Sequence, residues 1–262
     1  FDKVVTDGTQ KLQYKDENGD TVYLTSSTAE EQDSTGVVKS KVQSDPQAIG
    51  YISFGSVDDT VKVVKVEGVA PSKATVLDGT YKIQRPFVIM TNKETKMTER
   101  AADFVKYLES SLVKEDCEKH GVIFLEDAKL RANEGEAAIP VGTYTKLEKL
   151  PDGEKIVIRG STSMKEVIME AAASYAKLYN VKADDLFDVE LKGSSKGTKA
   201  VKEDTKGLSS AAVKDEKVRS FNICYDAVAV IVNKKNTLVE NLTLKQLFEI
   251  YTAKITKFTE IK

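Results

Sequence analysis

KIVIRGSTSMKEVIMEAAASYAKLYN at residues 155–180, followed by VELKGSSKG at 189–197, is the stretch that decides the fold. Ile156, Val157 and Ile158 read as a short buried strand, and Gly160-Ser161-Thr162-Ser163 as a turn carrying helix N-cap residues. Apolar residues at helical spacing follow from Met164 to Tyr179. A second unit repeats the pattern: a strand over Phe187 to Leu191, then the turn Gly193-Ser194-Ser195-Lys196-Gly197. Where such a turn meets a helix, free backbone N–H groups and the positive end of the helix dipole converge, which suits an oxyanion. Two turns of this kind point to a phosphate-like ligand at the edge of an α/β sheet.

Composition narrows the classes. The chain has 262 residues, enough for one large domain or two lobes with their own cores. Its 41 acidic and 39 basic residues nearly cancel, and no extended basic stripe is present, so nucleic acid is not the expected partner. No apolar run reaches membrane-spanning length, and no signal peptide opens the chain. A start at Phe1 without methionine reads as a processed chain, leaving room upstream for a leader or lipid anchor.

Cysteine and histidine are sparse. Cys117 and His120 form C-x-x-H near a helix end, and Cys224 lies in an apolar strand. A metal site needs more ligands. A Cys–His nucleophile pair needs a third, orienting group. Both cysteines read as small core residues, with a Cys117–Cys224 disulfide left open. No Ser–His–acid constellation is visible, and acidic runs such as Glu30-Glu31 and Asp58-Asp59 read as solvated surface. Catalysis is not expected. The lysines from Lys192 to Lys217 read as keeping a helix and loop soluble.

Upstream, a short helix lies within residues 1 to 45, and Leu12-Gln13-Tyr14 and Val22-Tyr23-Leu24 flank a hairpin turn. Residues 48–54 and Val61 to Val69 read as strands, and Pro71 to Gly79 as a loop. Phe87 to Met90 reads as a strand, Thr98 to Leu112 as an amphipathic helix, and Gly121 to Leu125 as a strand. Residues 126–154, with Pro140, Gly142 and Pro151-Asp152-Gly153, read as a connector. The strand Ala227 to Val232 and the helix Thr243 to Tyr251 close the chain. This alternation predicts an α/β fold with mainly parallel strands.

Five segments resemble the phosphate-binding proteins of ABC phosphate importers (PstS type), which are type II solute-binding proteins. They are IRGSTSMKEVIMEAAASYAKLY at 158–179, KGSSKGTKAVKEDTKG at 192–207, DAVAVIVNKKNTLVENLTLKQLFEIYTAKITKF at 226–258, DPQAIGYISFGSV at 45–57 and GTYKIQRPFVIMTN at 79–92. Their order is cyclically shifted, the family's back half coming first. The resemblance therefore implies a two-lobed type II periplasmic-binding-protein fold in circularly permuted order. One lobe would be 86–228, containing both turns. The other would combine 1–85 with 229–262, and 126–154 would join the family's original termini. Crossovers near Lys82 to Phe87 and Tyr225 to Val230 would form a hinge, with the ligand held between the lobes.

The resemblance also implies the site and its partners. Ser161, Thr162 and Ser163 would form the first oxyanion turn; Ser194, Ser195 and Gly197 would form the second. The ligand would be phosphate or a similar oxyanion, bound without cofactor or metal by a monomer outside the cytoplasm, secreted or anchored, alongside ABC transporter membrane subunits. Three departures imply weak binding. In the family's TADIGMSSR-like segment an Asp accepts the phosphate proton. Here that stretch runs from Asp204 to Ala211, shortened, with Ala211 replacing the closing Arg. The family's GSGTR loop, with its Arg clamp, would fall between Lys262 and Phe1 in this cyclic order. The alternative is a degenerate or engineered binding-protein domain that has lost its ligand and serves as a scaffold or protein-interaction module.

Overall fold

The computed structural model describes residues 1–32, 34–133, 136–202, 206–209 and 215–261. In chain order its elements are β1 (Gln13–Lys15), β2 (Thr21–Tyr23), α1 (Thr35–Ser44), β3 (Ile49–Ser53), β4 (Val61–Val66), α2 (Lys73–Leu77) and β5 (Gln84–Asn92). Then come α3 (Glu99–Glu109), α4 (Lys114–Lys119), β6 (Ile123–Phe124), α5 (Ala128–Arg131), β7 (Ile156–Gly160), α6 (Lys165–Leu178) and α7 (Ala183–Leu186). The last are β8 (Phe187–Leu191), α8 (Ser194–Lys202), β9 (Lys206–Ser209), β10 (Val218–Asn233), β11 (Asn241–Leu242) and α9 (Leu244–Tyr251). They fall into two compact units: Phe1–Gln84 with Ala227–Lys262, and Arg85–Asp226.

In the first unit the end of β10 lies between β3 and β4, antiparallel to both, and β11 joins β4 in parallel. Val228 to Val232 are all buried, as a strand covered on both faces requires. Ala229 and Ile231 share a core with Val42 of α1 and Ile52 of β3, and the Tyr81 hydroxyl donates to the Val228 carbonyl at 2.7 Å. The hairpin β1–β2 forms as expected, with Gln13 opposite Tyr23. The segment read as a loop, Pro71 to Gly79, contains α2. Ser72 and Thr75 exchange side-chain-to-backbone hydrogen bonds in a capping box, so Pro71 and Gly79 bracket a helix instead of a turn.

The second unit orders its strands β6, β10, β5, β9, β7, β8. β7 is parallel to both β8 and β9, while β5 is antiparallel to β9 and β10 to β6. The sheet is therefore mixed where mainly parallel strands were expected. Successive side chains of β5 face opposite sides. Phe87 and Ile89 join the core that holds Val167, Ile168, Ala171, Ala172 and Tyr175 of α6, whereas Val88 and Met90 pack with Val201 of α8. The two helices thus cover opposite faces. Each buried Val or Ile of α6 contributes about 1.5–3 kcal/mol relative to exposure. α6 ends in a Schellman motif: Asn180 takes φ 55°, Asn180 N–H bonds Lys177 O and Val181 N–H bonds Ala176 O.

The stretch 126–154, read as a connector, includes packed residues in its described part. It carries α5, whose Arg131 is fully buried. Arg131 donates to the carbonyls of Leu125 and Glu109 and lies over the rings of Phe124 and Phe221. Tyr144 reaches into the core beside α3, where Asp103 Oδ2 accepts from the hydroxyls of Tyr144, Tyr175 and Tyr179 at 2.8, 2.7 and 2.8 Å. Burial and that carboxylate push all three phenols above their ordinary pKa, so they remain donors. Cys117 and Cys224 are both buried and free. Burial of the Cys224 thiol pushes it well above its ordinary pKa.

Two substitutions test this frame. Asp103→Ala removes the acceptor shared by three hydroxyls; Tyr144 and Tyr179 keep each other at 2.8 Å, while buried Tyr175 is stranded at a cost of about 1–3 kcal/mol. The melting temperature should fall by roughly 6–12 °C, taking about 3 kcal/mol in total, with Tyr144→Phe showing a smaller loss. An unchanged melting temperature for Asp103→Ala would remove the carboxylate as an anchor. Gly193 sits at φ 115° with open space where a Cβ would go, so Gly193→Ala is penalised by backbone strain alone. It should destabilise by about 1–3 kcal/mol in urea unfolding.

Candidate anion site

Both turns leave the same edge of the second unit's sheet. β7 and β8 run parallel from Ile156 opposite Phe187 to Gly160 opposite Leu191, so their carboxyl ends lie side by side. The Gly193 N–H donates to the Gly160 carbonyl at 2.8 Å and ties one turn to the other. Both glycines hold positive φ, Gly160 at 153° and Gly193 at 115°, a conformation that L residues rarely adopt. From β7 the chain goes through α6 to β8 on one side. From β8 it returns through α8 to β9 on the other. β7 is therefore a topological switch point, where open α/β sheets place ligands beyond the strand ends.

The first turn begins at Ser161, which is 3% exposed, and passes through a tight helical turn at Thr162–Met164 into α6. The first amides of a helix have no partner within it. Four helices answer this with hydroxyls: Ser34, Ser72, Thr98 and Thr243 accept from the first turns of α1, α2, α3 and α9, while α4 and α7 have no side-chain cap. Ser161 makes no such cap bond, and no side chain caps α6 at Met164. The expected N-cap role of this turn is therefore not what its hydroxyls perform. The amides of Thr162 and Ser163 stand at the positive end of a 14-residue helix.

The second turn is shorter than its sequence suggests. Gly193 is the turn, and Ser194, Ser195 and Gly197 already lie in α8. The N–H groups of Lys196 and Gly197 are spent on the Gly193 carbonyl at 3.1 and 3.3 Å. Gly197 is buried and contributes the absence of a side chain rather than a donor. Asp204 and Ala211, where the expected acid and a closing Arg were sought, lie outside the described residues.

The positive charge at the first turn was not anticipated. Arg85, near the start of β5, donates through Nη1 to Ser163 Oγ at 2.9 Å. Its Nε and Nη2 donate to Asp226 Oδ2 at 2.9 and 2.6 Å, and its guanidinium lies 5.6 Å from the centre of the Phe87 ring. The available signal was a charge at the head of each apolar run, Arg85 before Phe87–Met90 and Asp226 before Ala227–Val232. Arg159, within the turn-bearing strand itself, is occupied by Asp188 at 2.7 Å and Glu190 at 3.4 Å. A surface concavity lined by Glu154, Lys155, Asp184 and Asp188 lies at the other end of β7 and β8, away from these donors.

Comparison with known proteins places the chain in a family. Residues 145–260 match the model of the PBP superfamily domain. Phosphate-binding protein PstS 2 of Streptococcus agalactiae is 33% identical over 256 residues, covering 95% of this chain and 80% of that protein. Its namesake in Streptococcus pneumoniae is 32% identical over 243 residues, covering 91% and 76%. The crystal structure of a phosphate ABC transporter phosphate-binding protein from Streptococcus pneumoniae TIGR4 superposes with a TM-score of 0.79 at 30% identity, covering 96% of this chain and 91% of that one. Similarity of this extent over most of both partners establishes that the chain belongs to the PstS family of phosphate-binding proteins, within the PBP superfamily.

Proposed function

We propose that this chain binds phosphate outside the cytoplasm as the non-catalytic solute-binding component of an ABC importer, working with that importer's membrane subunits. The observation that carries the reading is the first turn. Ser161 is 97% buried yet makes no cap bond, whereas hydroxyls cap α1, α2, α3 and α9. The donor set we assign to a tetrahedral anion, bound without metal, is the hydroxyls of Ser161, Thr162, Ser163 and Ser194 with the amides of Thr162 and Ser163; Ser195 belongs to the same call, and its side chain lies outside the described residues. Gly197 keeps the second helix free of a side chain near its start. The names of the streptococcal relatives support phosphate as the ligand. An alignment through 256 residues supports a segment order shared with those relatives, with 126–154 joining the ends that the cyclic shift brought together.

Among the described residues, the cation nearest the first turn, Arg85, is paired with Asp226, and we therefore expect weak affinity. With a Kd on the order of 1 mM, about 10 mM phosphate stabilises the folded protein by roughly 1.4 kcal/mol. The melting temperature should rise by about 3–5 °C, and chloride at matched ionic strength should give no rise. Thr162→Ala combined with Ser194→Ala should abolish the phosphate shift. Absence of any shift in the unsubstituted protein would favour a domain that has lost its ligand. A micromolar Kd by calorimetry would overturn the weak-binding reading.

A further inference from the structure

We propose that Arg85 is the positioning residue of the first anion turn: anchored by Asp226, it fixes the Ser163 hydroxyl so that its hydrogen points to the bound anion. The inference rests on the phosphate-binding reading and adds a residue to it. A serine hydroxyl offers one donor and two acceptor lone pairs, whereas a guanidinium has donors only. The bond from Arg85 Nη1 to Ser163 Oγ, 2.9 Å long, therefore has a single direction. It occupies a lone pair of Oγ and leaves the Ser163 hydrogen to be donated elsewhere, more acidic for the cation behind it.

The anchor explains why the arginine stays in place. Asp226 has a side chain only 3% exposed, and a buried carboxylate is costly unless paired. Nε and Nη2 of Arg85 both reach its Oδ2, at 2.9 and 2.6 Å, which orients the planar fork and aims Nη1 at the turn. A lysine at this position keeps the charge but cannot hold Asp226 and Ser163 at once. With Asp226 neutralising it, Arg85 serves as a strut for the hydroxyl, and the anion's direct partners remain the turn itself.

The test is a double-mutant cycle on the full chain, with inorganic phosphate titrated and followed by NMR amide shifts. Ser163→Ala should weaken phosphate binding roughly 10-fold, the worth of one hydrogen bond to a charged group. Arg85→Lys should weaken it by a similar factor, and the double variant should lose no more than either alone. Asp226→Asn, which retains the shape of the anchor, should show a smaller loss while remaining folded by circular dichroism. That variant keeps the test open if Arg85→Lys fails to fold. Losses that multiply in the double variant would mean that Arg85 meets the anion itself, overturning the proposal. Unchanged affinity in Arg85→Lys or Ser163→Ala, with only a lowered melting temperature, would also overturn it and leave phosphate binding intact. No response of the unsubstituted protein to phosphate would overturn the binding reading and this inference together.

Discussion

One backbone hydrogen bond, from the Gly193 amide to the Gly160 carbonyl, sets the geometry on which the candidate site depends. It closes the parallel ladder of β7 and β8 at the end where both chains leave the sheet. Because β9 lies on the other side of β7, the two helices that follow must cover opposite faces. Their starts are thereby brought to one edge without either helix blocking the other. Glycine is required at both positions because each holds a positive φ, and the hydroxyl-bearing residues follow immediately.

The second unit is held by buried polar anchors as well as apolar packing. Asp103 gathers three tyrosines, one of them from the stretch between α5 and β7. Arg131 caps carbonyls of Leu125 and Glu109 from a fully buried position, sandwiched by two phenylalanines. Each anchor makes its segment specific, because removing one member leaves the others desolvated and unpaired. They dock Arg131 and Tyr144 onto the unit's core, which ties down parts of a segment rich in glycine, proline and charge. Arg85 and Asp226 repeat the device at the edge that carries the first candidate turn.

Sequence alone determined the elements whose pattern is local. Phe187–Leu191 is a strand with the expected bounds, and the helix after the first turn, the hairpin at 13–23 and the strand at 49–53 all follow from period, turn residues and β-branched runs. Family membership was legible too, in segments such as AIGYISFG and the GSTS turn, because those strings combine glycine placement with apolar spacing in a way few folds share. Local chemistry also misled at Pro71–Gly79, where the breakers flank a capped helix.

Tertiary structure decided what depends on partners distant along the chain. Strand direction in the second unit is mixed because β5 and β10 enter from elsewhere in sequence, and apolar runs carry no sign of direction. Arg85 and Asp226 are 141 residues apart, and Arg85 and Ser163 are 78 apart, so no spacing rule could join them. Whether a hydroxyl at a helix start caps its own backbone or is left for a ligand is likewise decided by packing, since the residue types are the same for Ser34 and Ser161. The sequence determined which residues could hold an anion. Only the fold decided which of them stand together, which amides are already spent, and which cation stands behind them.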